Sequence, residues 1–267
     1  MQELVSIITP CYNSAKYIGQ MIESIQAQTY KNWELLITDD CSTDNSMEVV
    51  MSYAEKDSRV KFFKLPQNSG AGIARNNSIE KATGRYIAFC DSDDMWKAEK
   101  LEKQLQFMQD NNYEFCHCYT LVVDENNNIV GLNKKPKRVS FQSTRIINYI
   151  GTSSVVYDTK RIGKFYMKPL RKRQDFALWL NILQATKYAY CIPEPLFIYR
   201  YTPGSISSNK FKLFKYHVDV YQQALGYSKS HACLLFYCVS LPCFVVKKVM
   251  EKIRETIFKP DLSKLSI

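Results

Sequence analysis

The 267 residues are 46% hydrophobic and 23% charged, which excludes a disordered chain and fits one large α/β domain with an appendage, or two small domains. The nine cysteines are odd in number and sit mostly in apolar runs, so a disulfide framework is excluded in favour of small core residues in a reducing cytoplasm. The net charge of +10 is uneven: residues 133–173 carry twelve Lys and Arg against one acid, and residues 205–267 carry ten against four. That pattern suits an anionic substrate and an anionic surface. With no recognition-helix, RNP or zinc-finger pattern, nucleic acid is not an expected partner.

Met1-Gln2-Glu3 leads straight into a strand pattern, with no basic and apolar leader, so no export is expected. The run from Leu4 to Thr9 is β-branched and apolar and ends at Pro10, a strand with a sharp stop. Asn13 or Ser14 can cap a helix from Ala15 to Gln28, whose Ile18, Met21, Ile22 and Ile25 recur at helical spacing. Trp33 to Thr38 reads as a second strand, ending in Asp39-Asp40. Ser42-Thr43-Asp44 then opens a helix carrying Met47, Val50, Met51 and Ala54. Val60 to Leu65 is a third strand, residues 66–70 a loop, and Ile73 to Ala82 a third helix broken by Gly84. Tyr86 to Cys90 is a buried strand that runs into Asp91-Ser92-Asp93-Asp94, and Lys97 to Asp110 is an amphipathic helix.

Strand and helix alternating at this spacing imply a doubly wound, mostly parallel sheet. Right-handed crossovers place the strands' C-terminal ends on one edge, and Asp39, Asp40, Asp91 and Asp93 all fall there. Three carboxylates within four residues repel one another and resist dehydration. Either a cation sits among them or they form a solvated turn that caps the next helix. Hard divalent ions such as Mg2+ and Mn2+ take one or two carboxylates together with a substrate phosphate.

Beyond Tyr113 the pattern changes. Phe115 to Asp124 and Ile129 to Leu132 read as short strands, Phe141 to Ile150 as a helix, and Ser153 to Tyr157 as a strand. The basic run Arg171-Lys172-Arg173 precedes Gln174-Asp175 and a helix through Leu183. A carboxylate at that start is favoured by the helix dipole, either as a simple cap or as a functional group. Ala189 to Ile192 and Leu196 to Tyr201 are closing strands, separated by Pro193-Glu194-Pro195. From Lys210 the chain is aromatic and basic. Its apolar run from Ala232 to Val246 is interrupted by Pro242 and falls short of the ~20 residues that cross a bilayer. Followed by Lys247-Lys248, it reads as a segment lying on anionic lipid, against the plainer reading of a helix packed on protein.

Five motifs occur in order: Thr9-Pro10-Cys11-Tyr12-Asn13, Asp39-Asp40-Cys41-Ser42-Thr43-Asp44, Gly70 to Asn76, Asp91-Ser92-Asp93-Asp94, and Gln174-Asp175. Together, over about residues 3 to 205, they resemble the family 2 glycosyltransferases. The resemblance implies a GT-A fold at 1–205, with a nucleotide-binding half at 1–112 and an acceptor half at 113–205, followed by a helical tail at 206–267. It implies an inverting transfer of one hexose or N-acetylhexosamine from a UDP-sugar. Thr9, Tyr12, Asp39, Asp40, Arg75 and Asp91 would hold the donor nucleotide, Asp93 a Mn2+ or Mg2+ ion, and Asp175 would be the general base, giving a β-glycoside from an α-linked donor. The expected acceptor is a saccharide on undecaprenyl diphosphate in bacterial surface polysaccharide assembly; the basic 133–173 segment reads either as the holder of its diphosphate or as a solvated, variable loop. The expected place is the inner face of the cell membrane, with the tail on the membrane surface.

Two departures stand out. Cys41 replaces a common Gly, so an ordinary turn is expected there, and Gln174 replaces the usual Glu. The absence of a Gln-x-x-Arg-Trp motif points to transfer of single sugars. A nucleotidyltransferase and a non-catalytic membrane scaffold are the competing readings. A nicotinamide dehydrogenase is excluded because no Gly-x-Gly-x-x-Gly follows the first strand.

Overall fold

The computed structural model describes residues 2–201 and 210–257, with residues 262, 265 and 266. Strands are β1 Val5–Cys11, β2 Trp33–Asp39, β3 Val60–Lys64, β4 Tyr86–Phe89, β5 Met95–Trp96, β6 Phe115–Val123, β7 Ile129–Asn133, β8 Arg138–Ser140, β9 Val156–Asp158 and β10 Tyr188–Arg200. Helices are α1 Ile18–Gln26, α2 Ser46–Ala54, α3 Ala71–Lys81, α4 Lys100–Asn111, α5 Phe141–Ile146, α6 Thr159–Ile162, α7 Gln174–Thr186, α8 Lys210–Leu225, α9 Lys229–Leu235 and α10 Leu241–Ile257.

All ten strands join one sheet in the order β3-β2-β1-β4-β9-β6-β10-β5, with β7 on β6 and β8 on β10. The first four pair in parallel, as alternating strands and helices require, whereas β9 enters antiparallel between β4 and β6. Successive side chains on a strand face opposite ways, so one strand feeds two cores. Val5 and Ile7 of β1 pack with Ile22 and Ile25 of α1 and Leu101 and Leu105 of α4. Ile8 of the same strand packs on the other face with Ile79 of α3 and Trp179 and Ile182 of α7.

Several boundaries differ from the expected ones. Helix α1 begins at Ile18 rather than Ala15 because the Ser14 N–H donates to Ser46 Oγ (2.7 Å) and the Ala15 N–H to Asp44 Oδ2 (3.0 Å). Helix α5 stops at Ile146, and Asn148 Oδ1 takes the Ile150 N–H at 3.0 Å. Residues 152–154 form a 3-10 turn instead of opening a strand. The two closing strands are one, β10, with register shifts on both sides of Pro195, since prolines supply no ladder N–H.

The tail also departs from expectation. Pro242 does not end the apolar helix: a π turn over Phe236–Ser240 joins α9 to α10, and the Leu241 N–H bonds Phe236 O. The helical stretch Lys229–Ile253 is therefore long and apolar enough to cross a membrane by length and composition, which corrects the shorter run read from the sequence. One face of the tail packs on the domain: Val218, Tyr221, Ala232 and Phe236 meet Leu170, Phe176, Ala177 and Leu180. Leu234, Tyr237, Val245, Val246, Val249 and Met250 are exposed.

Candidate active site

The crevice is built first by the loops that follow β1 and β2. Both Asp39 and Asp40, at the end of β2, are buried. Asp39 accepts the Ser42 N–H at 3.0 Å and the Ser42 hydroxyl. Asp40 accepts two main-chain N–H groups, from Ser69 at 2.6 Å and Gly70 at 2.7 Å, and so latches the 66–70 loop onto the mouth of α3. Gly70 makes that turn at φ 91, a conformation that suits glycine. These two acids therefore shape the wall through the chain itself. Cys41 has φ 62, so the turn is left-handed after all; the expected ordinary turn is overturned, at a cost of about 1 kcal/mol for a side chain there.

Thr9 is fully buried and donates to Cys90 O at 2.8 Å, tying β1 to the end of β4. Its hydroxyl is engaged by that main-chain carbonyl. Tyr12, by contrast, is 50% exposed and offers a ring face at the edge of the same loop. Asn13 beside it takes φ 49 and accepts the Thr43 N–H at 2.8 Å, which binds the two loops together.

The Asp91-Ser92-Asp93-Asp94 turn is gripped from three sides. Arg75, buried on α3, donates from Nη2 to Asp91 Oδ1 at 2.5 Å. Ser153 accepts the Asp91 N–H at 3.0 Å and donates to Asp94 Oδ2 at 2.5 Å. Arg200, buried at the end of β10, donates from Nε to Asp93 O at 3.2 Å, and its main-chain N–H reaches Asp94 Oδ1 at 3.4 Å. Its other nitrogens hold Asn127 Oδ1 at 2.6 Å and Gln20 Oε1 at 2.7 Å. Burial, then the neighbouring Asp91, pushes the Asp93 carboxyl up to about 6. Burial, then Asp93 and Asp91, raises Asp94 well above the usual carboxylate range.

Asp175 lies in the first turn of α7, where the helix dipole favours its charge. Thr152 donates to its Oδ2 at 3.3 Å. Gly72 of α3 leaves room for Gln174: a Cβ there would stand 3.1 Å from Gln174 Cγ, so the starts of α3 and α7 approach closely. Arg75 registers that convergence. Burial alone would lower its pKa, but Asp91, Asp175 and Asp93 outweigh burial and raise it.

The sequence placed Asp39, Asp40, Asp91 and Asp93 on one sheet edge, and the resemblance added Arg75 and Asp175; in the structure Arg75 bonds Asp91 and lies within the fields of Asp93 and Asp175. The sequence reading did not find Arg200, Thr152 or Ser153. Arg200 had a signal, a cation ending an otherwise apolar strand, where burial demands acceptors. Thr152 and Ser153 had none.

Among the described residues, no three His, Cys, Asp or Glu side chains group closely enough to hold a metal ion unaided. The half-buried, crowded Asp91 and Asp93 nevertheless fit a hard divalent ion whose remaining ligands are phosphate oxygens and water.

The chain matches the profile of glycosyl transferase family 2 over residues 6–174. It is 38% identical over 237 residues to TuaG of Bacillus subtilis, a protein named for teichuronic acid biosynthesis, covering 88% of this chain and 94% of TuaG. It is 39% identical over 222 residues to WfgD of Escherichia coli, named UDP-Glc:alpha-D-GlcNAc-diphosphoundecaprenol beta-1,3-glucosyltransferase, covering 81% and 85%. The crystal structure of Staphylococcus aureus TarS 1-349 with UDP superimposes with a TM-score of 0.67 at 21% identity, over 97% of this chain and 73% of that one. That likeness shows the GT-A fold.

Proposed function

The chain is a glycosyltransferase belonging to glycosyl transferase family 2, and from that premise we propose that it moves one sugar from a UDP-sugar, by inversion, onto a lipid-linked saccharide. The observation that carries this reading is Arg75, on which a diphosphate-type carboxylate pair, Asp91 and Asp93, and a helix-start carboxylate, Asp175, converge from different elements. One group suits the departing nucleotide and the other the incoming hydroxyl.

In this reading Tyr12 stacks on the uracil, and the Asp39 and Asp40 loops line the nucleotide pocket in residues 1–112. Thr9 contributes through the position of β1. Asp175, in the acceptor half, takes the proton from the acceptor hydroxyl as its oxygen bonds to the anomeric carbon. The bond from that carbon to the diphosphate oxygen breaks, and UDP departs with the electron pair. One displacement inverts the centre, so an α-linked donor yields a β-glycoside. A Mn2+ or Mg2+ ion held at Asp93, with Asp91 beside it, would supply Lewis-acid neutralisation of the charge on UDP. Arg75 holds Asp91 in place, and Arg200 fixes the main chain at Asp93.

The name of the WfgD relative supports UDP-glucose as the donor to test first and a sugar-diphosphate-undecaprenol as the acceptor class, in surface polysaccharide assembly. The tail supports a place on the inner membrane face. Its protein side holds Ser240 and Lys247, while Val245, Val246, Val249 and Met250 face outward. A helix with its apolar side out suits a bilayer.

The test is UDP release from purified protein with a panel of UDP-sugars and a synthetic sugar-diphosphate-lipid, with and without EDTA. Metal-dependent turnover that Asp93→Ala and Asp175→Ala abolish is expected. Failure to bind any UDP-sugar would overturn the reading.

A further inference from the structure

Three cations in a row, Arg171-Lys172-Arg173, stand at the door of α7, and the structure gives them no carboxylate partner of their own among the described residues apart from nearby Asp175. Arg173 is held at φ 64, a left-handed conformation that an arginine adopts at a cost. Its Nε is buried with no hydrogen-bond partner. Burial lowers its pKa, and Asp175, the largest opposing influence, does not make up the difference.

A second arginine comes to the same region from another element. Arg145, at the end of α5, also has a buried Nε with no partner. Its Nη1 donates to the Tyr227 hydroxyl at 2.9 Å, and its carbonyl accepts from the Tyr221 hydroxyl at 2.6 Å. Burial raises the Tyr221 pKa, and both Arg145 and Arg173 oppose it, so both guanidinium fields reach one tyrosine. Lys172 adds its ammonium over the Tyr216 ring, 5.5 Å from the centroid.

Half-buried guanidinium groups with unused donors are costly unless an anion completes them. Two arginines suit one ligand class above others, because their forked donors match the oxygens of a phosphate or diphosphate. Their position narrows the source. On one side Arg173 is two residues from Asp175. On the other, Arg145 holds Tyr227, two residues before the apolar stretch Lys229–Ile253 begins. A diphosphate presented at a lipid surface would meet the arginines there, with the sugar it carries directed toward Asp175.

We propose that Arg145 and Arg173, assisted by Lys172, bind the diphosphate that joins the acceptor sugar to its lipid. This rests on the lipid-linked acceptor reading above and names the residues that read the acceptor's charged linker.

The experiment compares two acceptors with UDP-glucose as donor: N-acetylglucosamine on an alkyl diphosphate, and the same sugar on the alkyl chain without phosphate. The wild-type protein should prefer the diphosphate compound by at least about tenfold in kcat/KM. Arg145→Gln and Arg173→Lys should each cut that preference about tenfold, the size of one charge-assisted hydrogen bond, and leave the donor KM and acceptor-free UDP release unchanged. A general packing defect would lower both acceptors alike and leave the preference intact, which would overturn the proposal. A raised donor KM would assign the arginines to UDP instead and also overturn it. Inorganic diphosphate binding as tightly as the lipid-linked compound would overturn the lipid source. Calorimetric binding of the alkyl diphosphate sugar to the wild type, lost in both variants, sustains the arginine site even if no UDP-sugar turns over. In that case only the transfer reading falls.

Discussion

Arg75 Nη2 lies 2.5 Å from Asp91 Oδ1, a link from the first turns of α3 to the end of β4 with the cation buried. The pair fixes the first aspartate of the metal-type turn before any donor arrives. Removing the arginine leaves the half-buried Asp91 carboxylate without its partner, a loss of about 1–3 kcal/mol. Arg75→Ala should therefore lower the thermal midpoint markedly and weaken UDP binding, as measured by denaturation and calorimetry. Arg75→Lys should recover part of the stability without the fork geometry. An unchanged midpoint in Arg75→Ala would mean the pair is not the link it looks like.

Asp93 couples the site to pH. Its folded pKa, about 6, is raised above the unfolded value by burial and by Asp91. A raised carboxyl contributes stability below the unfolded pKa and loses it as pH rises through the folded one. The metal-free protein should thus lose stability between pH 4 and 6 through this group, and Asp93→Asn should flatten that part of the profile. Protons and a divalent ion compete for the same carboxylate, so Mn2+ affinity should fall as pH drops below about 6. Calorimetry at a series of pH values checks both.

Asp175→Asn preserves shape and removes the proposed base. UDP release to an acceptor should drop by about 10² to 10⁴, the usual worth of general base catalysis, with UDP binding unchanged. Equal loss of binding and turnover would show that Asp175 serves the donor.

Ser153 joins the metal-type turn to the segment that reaches Asp175, since it bonds both Asp91 N and Asp94 Oδ2 while neighbouring Thr152 bonds Asp175. Ser153→Ala removes the partner of the Asp91 N–H and of the buried Asp94 Oδ2. A destabilisation of about 1–3 kcal/mol is expected, read by urea unfolding.

The outward apolar face of the tail makes a separate prediction. Val246→Asp with Val249→Asp should abolish co-sedimentation with anionic vesicles and leave the midpoint of the catalytic domain near wild type. Retained vesicle binding would assign the face to protein instead.

The chain alone determined the alternating strands and helices, the sheet edge on which four aspartates gather, and the acid at the start of α7. Each of these depends on local pattern: period-2 and period-3.6 hydrophobicity, and residues at the ends of elements, whose positions the crossover rule then relates. The tertiary structure decided what those residues hold. Asp40 spends its carboxylate on two N–H groups of the 66–70 loop, Arg75 finds Asp91, and Arg200 arrives from more than a hundred residues away to fix Asp93 and Asp94. It also carried the apolar helix through Pro242 with a π turn. These outcomes are settled by competition for a few buried donors and acceptors. Such partners are chosen by distance in the folded molecule, which spacing along the chain does not encode.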